Sequence, residues 1–273
     1  MAYNLPRMAQ RSGIRRKKVK IRPINPRPGV AADLAAIHGV IPQIWWEAIP
    51  TIVARYRPLI ADSPADLRHT MDLIGIAVSG VTTSLFARLR VWASKAERIH
   101  RAQFAEGVLA ATSIDVTTVL TEEAVTETVA TVVARNASLI TAIGADTQAK
   151  VGEIVFRGVQ QRTPTREVER QLREQVGFSR DRAWRVAGDQ TAKLYSALDQ
   201  ARQEEAGIDH FIWVHSRKAH PRPEHVVRNQ VLYKWKKSAP DPGRDPPEDM
   251  PGWLPFCGCT AQAVLLGMDG KPL

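Results

Sequence analysis

The sequence predicts an α+β protein: a mainly helical body followed by a small C-terminal β-sheet subdomain rich in loops. Three observations carry this reading. Between residues 33 and 207, apolar residues recur at steps of three and four, the period of a helix with one buried face. After Gly207 the pattern shifts to short runs of β-branched and aromatic residues: HFIWVH at 210–215, VLYKW at 231–235 and TAQAVLL at 260–266. A stretch rich in proline, glycine and aspartate, SAPDPGRDPPEDMPG at 238–252, separates the last two and excludes regular structure there. With 273 residues the chain can bury a substantial core, in one large domain or two modest ones.

Four segments follow in order. Residues 1–32 carry nine of the ten net positive charges: Arg7, Arg11, Arg15, Arg16, Lys17, Lys18, Lys20, Arg22 and Arg27, with no acid before Asp33. A like-charge block that also holds Pro23, Pro26 and Pro28 is expected to be a disordered arm. Such an arm suits phosphate or an acidic protein surface; a solvated tail or an address signal stays open beside that. If all nine cations met phosphates, log affinity would fall against log salt with a slope of about −8. No aromatic residue is interleaved with the cations, so base stacking and sequence-specific reading are not expected.

Residues 33–135 read as a helical region. Trp45 and Trp46 lie in a short segment expected to close at Pro50. Ser63 and Pro64 suit the start of a longer helix, with Leu73, Ile76, Ala77, Val81, Leu85, Leu89 and Trp92 on its apolar face. Its longest uncharged apolar run, 73–87, spans 15 residues and meets Arg88. That is short of the roughly 20 a membrane span requires, so no membrane partner is expected. The β-branched stretch TSIDVTTVLT at 112–121 reads as a break.

Residues 136–207 are again helical. Thr163-Pro164-Thr165 marks a turn, and a helix with Val168, Leu172 and Val176 is expected to end at Gly177. Ser179 is then expected to cap a further helix with Trp184, Ala187, Thr191, Leu194, Leu198 and Ala201 on its apolar face. Residues 208–273 form the sheet subdomain, with Trp213, Trp235 and Trp253 as its core anchors.

Cys257 and Cys259, the only cysteines, are too few for a disulfide framework and too close for an unstrained bridge. Thiolates and neutral imidazoles are zinc ligands, and His220 and His225 lie 30-odd residues upstream. His220, His225, Cys257 and Cys259 are thus the metal-ligand candidates, and a structural zinc is the one cofactor the pattern suggests. Cys-x-Cys is tighter than the familiar Cys-x2–4-Cys, so packed thiols without metal stay open as the alternative. HExxH, GxSxG, the phosphate-binding P-loop and GxGxxG are all absent, as is the zinc-deaminase pair of motifs. No catalytic residue is therefore assigned, and the chain is not expected to be an enzyme. His225 with Asn229 is a faint hint of a nuclease finger whose other parts are missing.

The order of motifs over about residues 136–266 carries a resemblance. Arg182-Ala183 is followed by Gly188-Asp189-Gln190-Thr191-Ala192-Lys193 and Ala206-Gly207-Ile208. Then come Trp213, Arg222-x-x-His225, Tyr233-x-Trp235, Pro251-Gly252 and Cys257-x-Cys259. This order resembles the tailed-phage head morphogenesis family, the minor head proteins similar to protein F of phage Mu. Family members usually carry an acid at position 218, a basic residue at 220, Asp-Gly at 229–230 and an arginine at 258. Here Lys218, His220, Asn229-Gln230 and Gly258 stand there, while Arg222, His225, Cys257 and Cys259 match. The resemblance thereby implies a metal set of at most His225, Cys257 and Cys259, and the missing acid at 218 removes an expected partner of Arg222.

The resemblance implies a minor structural protein of the virion, made in the host cytoplasm and placed in the head interior near the portal during assembly. Portal, major capsid or scaffold protein would be its partners, with packaged double-stranded DNA as a further partner of the arm. Two alternatives stay open: a nucleic-acid-binding protein working through the arm outside any virion, and a zinc-dependent hydrolase or nuclease at the C-terminal His/Cys site.

Overall fold

A computed structural model describes residues 3–14, 18–56 and 63–266. Its elements run α1 (Leu5–Arg11), β1 (Val19–Lys20), α2 (Pro28–His38), α3 (Val40–Arg55) and α4 (Ser63–Thr112). After a 3-10 turn at Glu123–Val125 come α5 (Thr126–Gln161), α6 (Thr165–Glu205), β2 (His210–Val214), α7 (Pro223–Val227), β3 (Leu232–Lys234) and β4 (Thr260–Leu265). Helix makes up 66% of the described residues and the sheet is small and antiparallel, the α+β class that the patterning predicts. The chain divides into two compact units. The first comprises residues 1–30, 93–132 and 189–273, the second 31–92 and 133–188.

The first unit contains the sheet, in the order β1-β4-β2-β3. Central β2 pairs antiparallel with β4 through Trp213↔Ala261 and with β3 through Phe211↔Tyr233. Side chains alternate across a strand. Phe211 and Trp213 accordingly join Tyr233, Trp235, Met250, Cys257, Cys259 and Ala261 on one face. Ile212 packs with Val264 and Leu266 on the other. Both faces are covered, which is why residues 211–214 are apolar throughout instead of alternating. The Phe211 and Trp235 rings lie 4.3 Å apart. The Trp235 indole N–H donates to Gln203 Oε1 at 3.1 Å, and the Gln203 amide donates to the Ala261 carbonyl at 2.9 Å, so α6 is fastened to two strands. Trp253 is not a core anchor: it sits in a turn and is 52% exposed.

The expected disordered arm is corrected by the structure: its described part is built into the first unit. Leu5, Ala9, Val19, Ile21 and Ile24 are buried. Asn4 Oδ1 caps α1 by accepting the Arg7 N–H at 2.8 Å, and the Leu5 N–H donates to the Ala206 carbonyl at 2.8 Å. β1 extends the sheet through Val19↔Leu265. Counting charge hides the apolar residues set between the cations. Val19-Lys20-Ile21-Arg22 alternates, so one pair of side chains turns inward and the other outward. Arg7, Arg11, Lys18, Lys20, Arg22 and Arg27 are all exposed, and Arg22 pairs with Glu106. Arg15, Arg16 and Lys17 lie outside the described residues.

In the second unit, α3 runs through Pro50 to Arg55, past the expected stop. Burial of Ile49 and Ile52 on either side outweighs the one helical donor that proline lacks. α4 starts at Ser63 as expected, although the side chains of Ser63 and Pro64 lie outside those described. Its expected apolar face is only partly right. Leu85, Leu89 and Trp92 are buried, but Leu73 is 53% and Ile76 69% exposed. The buried positions Leu67, Met71, Gly75, Val78, Leu85, Leu89 and Trp92 follow steps of three, four and seven, a narrow stripe along the helix. A stripe that narrow leaves neighbouring apolar residues outside. By length and composition, α4 and α5 each contain a stretch apolar enough to cross a membrane, where the sequence reading found the run too short; 28% of each stretch is buried.

α6 is one continuous helix, so Gly177 does not end it and Ser179 does not cap a new one. The buried row Val168, Leu172, Val176, Ser179, Ala183, Ala187, Thr191, Leu194, Leu198 stays in phase throughout. Glycine inside a helix costs about 1 kcal/mol against alanine, less than the burial of that row returns. The Ser179 hydroxyl donates back to the Gln175 carbonyl at 3.2 Å. The buried row passes through Ala183, leaving Trp184 58% exposed.

His38 is fully buried in the second unit, with Nε2 3.1 Å from Asn136 Oδ1. Burial opposes its charged form and lowers its pKa to about 4, against a smaller opposing effect of the Asn136 hydrogen bond. The folded chain therefore takes up this proton later than the unfolded chain, whose histidines titrate near ~6.5. The stability involved is fully present above that pH and is lost as pH falls toward 4, by about 3 kcal/mol in all. Urea unfolding at pH 7.5 and 4.5 should thus show a shallower pH dependence in His38→Gln than in the wild type. Equal pH dependence in the two would assign the effect elsewhere.

Candidate functional site

The Cys-x-Cys segment and α7 meet on the aromatic face of the sheet. Pro223 starts α7 after an extended Arg222, which sets His225 on the inward side of its single turn. His225 Nδ1 lies 3.5 Å from Cys257 Sγ and 3.7 Å from Cys259 Sγ. All three residues are 4% exposed or less. On the other side of the ring, Nε2 is 2.8 Å from Asp249 Oδ2. Asp249 Oδ1 in turn accepts from Arg228 Nη1 at 2.5 Å, and the Arg228 guanidinium lies 5.0 Å over the Trp213 ring. Trp213 itself meets the His225 ring edge-on at 5.0 Å.

Electrostatics agree with this geometry. Burial raises the Asp249 pKa, but hydrogen bonds from Arg228 and His225 outweigh it, and the group is held below the ordinary carboxylate range. An ionised Asp249 only accepts, so Nε2 of His225 donates to it, and Nδ1 is the ring atom that faces both sulfurs. The hydrogen bond from Cys259 pulls Cys257 down to about 5, against the effect of burial. The same bond, and burial, push Cys259 up.

The loop that carries the cysteines is clamped residue by residue. Lys193 Nζ donates to the Leu254 carbonyl at 3.1 Å, Arg222 Nη2 to Pro255 at 3.0 Å, and Lys218 Nζ to Phe256 at 2.7 Å. Asp189 Oδ1 accepts the Phe256 N–H at 2.6 Å and the Lys193 ammonium at 2.8 Å. Ser196 donates to the Pro251 carbonyl. Phe256 needs this support, because its φ of +58° is strained for a non-glycine residue. Gly252 has a φ of +83°, and an added Cβ would lie 2.7 Å from that of Ser196.

The structure therefore gives most of the family-motif and metal-ligand candidates a common place. Asp189, Arg222 and His225 converge on the 254–259 loop, and Gln190 donates to Asp189 Oδ2 at 3.1 Å. Trp213 backs His225, and Trp235 belongs to the sheet core beside it. Arg182 does not join them; it pairs with Asp146 at 2.9 Å in the second unit. His220 is exposed and is not part of the cluster, because it lies in the loop before α7. Asn229 is a loop clip that accepts the His215 N–H at 3.1 Å, which gives the nuclease hint no support. Lys218 and Gly258, the departures noted at those two positions, meet in space: a Cβ on Gly258 would lie 2.8 Å from Lys218 Cε. Arg222, without an acid at 218, takes a backbone carbonyl instead.

Sequence reasoning missed Asp249 and Arg228, and it gave Lys193 and Lys218 no part in holding the loop. Arg228 lies three residues after His225, a helical spacing that could have flagged it. Asp249 stands in a loop with several acids, and nothing in the pattern singles it out.

Residues 149–262 match the family model described as Phage Mu protein F like protein. The match contains every residue of the clamp and the cluster. An uncharacterized protein of Haemophilus influenzae is 27% identical over 173 residues, which is 63% of this chain and 37% of that protein. The chain thus spans little more than a third of the length of that relative. No solved structure matches.

Proposed function

With residues 149–262 as a phage Mu protein F-like region, we propose that the chain is a structural component of a bacteriophage head that acts in head morphogenesis, without a catalytic role of its own. The family match is the observation that carries this. It spans the His225, Cys257 and Cys259 cluster and its clamp, and each part of that arrangement fastens a loop. The three residues at its centre are buried, which suits a structural element and offers a substrate no approach.

Two surfaces support the finer reading, in which the protein sits inside the head near the portal. Ile76, Val91, Phe178 and Trp184 of the second unit are 58–72% exposed, apolar area of a kind that a protein partner covers. A portal, capsid or scaffold protein is the partner we assign. The six exposed cations described in residues 3–30 form a basic surface suited to packaged DNA. Phage lacking the gene should assemble few normal heads or deliver DNA poorly. Normal heads with normal infectivity would overturn the proposal.

The DNA contact has its own test. Binding of the full chain to double-stranded DNA should weaken steeply with salt. The triple substitution Lys18→Glu, Lys20→Glu, Arg22→Glu should weaken it at least about tenfold at 100 mM salt. Unchanged binding by that variant would remove the role given to the basic surface.

A further inference from the structure

We propose that His225, Cys257 and Cys259 bind a zinc ion that ties α7 to the segment leading into β4. This does not depend on the phage-head reading, since it rests on the geometry of three side chains. Their donor atoms all lie within 4.8 Å of one another. In a tetrahedral zinc site, with Zn–S near 2.3 Å and Zn–N near 2.05 Å, the nitrogen-to-sulfur edge is about 3.6 Å. The two edges here are 3.5 and 3.7 Å. Nδ1 can make one hydrogen bond, whether through a lone pair or a proton, yet here it faces two sulfurs at nearly equal distance. A cation between the three atoms uses the Nδ1 lone pair and both sulfurs at once.

The surroundings have the form such a site requires. The nitrogen of a zinc-bound histidine that faces away from the metal usually donates to a carboxylate, which fixes the ring and its tautomer. His225 Nε2 does so to Asp249, and Asp249 is itself held by Arg228. Two thiolates and a neutral imidazole around a divalent ion sum to zero charge, which suits residues 2–4% exposed. Among the described residues no fourth ligand of these types joins the three, so the fourth position would fall to water. Zinc is favoured over harder cations by the two sulfurs.

The fold also has a use for the ion. Between Lys234 and Thr260 the chain forms no helix or strand, and this loop supplies both cysteines. Such segments bury little of their own, and a metal clip adds binding free energy directly to folding. The clamp on residues 254–256 places the loop, and the ion would close it on α7.

Elemental mass spectrometry of the full chain, expressed with zinc in the medium, should find about one zinc per chain. Cys257→Ser with Cys259→Ser should abolish it. Because that variant can fail to fold, two further measurements stand beside it. Asp249→Asn keeps all three ligands and should weaken zinc 10- to 100-fold in competition with a chromophoric chelator. Cobalt(II) added to the wild-type apoprotein should give the visible bands of a tetrahedral ion and the near-ultraviolet thiolate charge-transfer band. Zinc retained in the cysteine double variant would mean that it binds elsewhere and would overturn the assignment. So would a wild-type chain that takes up neither zinc nor cobalt.

Discussion

Asp189→Ala should destabilise the first unit by about 3–5 kcal/mol, the cost typical of breaking a buried ion pair from one side. The Asp189 side chain is 8% exposed and that of Lys193 10%. Removing the carboxylate strands the Lys193 ammonium, which keeps only the Leu254 carbonyl. It also frees the Phe256 N–H, which lies at an exposed residue where water replaces the lost acceptor at little cost. Phe256 has a φ of +58°, so the loop would relax toward an ordinary conformation once released. Asp189→Asn should fall between, since its amide oxygen can still accept from Phe256 while the charge facing Lys193 is gone. Equilibrium unfolding in denaturant checks both variants. A loss under 1 kcal/mol in Asp189→Ala would mean that the loop holds itself and that the clamp is incidental.

Spacing reveals the residues that pack and misses those that pair. The steps of three and four in α6 and the β-branched runs of the sheet were legible because burial imposes a period on sequence. Cys257 and Cys259 stood out by rarity, and His225 by its place three residues after Arg222. Asp249 reaches His225 from 24 residues away, out of a loop with no period, so only the fold brings the two together. The clamp shows the same limit. Asp189 and Lys193 are a helical pair four apart that reads as a surface ion pair, yet its partner is a loop 67 residues on. The N-terminal segment failed for a different reason. Net charge is a sum, and a sum conceals that Val19 and Ile21 alternate with Lys20 and Arg22. Pro50 and Gly177 were misjudged because a local penalty of a few kcal/mol at most was set against nothing, when tertiary burial on both sides opposed it. In α4 the period was right and the width wrong, because the buried stripe is narrower than the apolar face the sequence offers and leaves Leu73 and Ile76 outside.

The same limit hid the buried charges at the end of α6, and there the second large effect is expected. Arg202 is fully buried, one residue before the Gln203 that bridges Trp235 and Ala261. It donates to Glu97 at 2.7 Å and to Glu205 at 2.9 Å. Glu97 is 5% exposed, and its other cation, Arg101, is more distant at 3.6 Å. Arg202→Ala should therefore cost about 3–5 kcal/mol, since it leaves a buried carboxylate without its closest partner and opens a cavity. Arg202→Met with Glu97→Leu removes both charges while keeping much of the volume, and should recover most of that loss. A double-mutant cycle over the two positions would separate the terms. If the apolar pair matches or exceeds the wild type in stability, the ion pair is there to fix the register of α6 against α4, since its favourable energy only offsets desolvation. If the apolar pair is as unstable as Arg202→Ala, desolvation is not the dominant cost. The network with Glu205 and Arg101 would then be a net source of stability that no hydrophobic pair replaces.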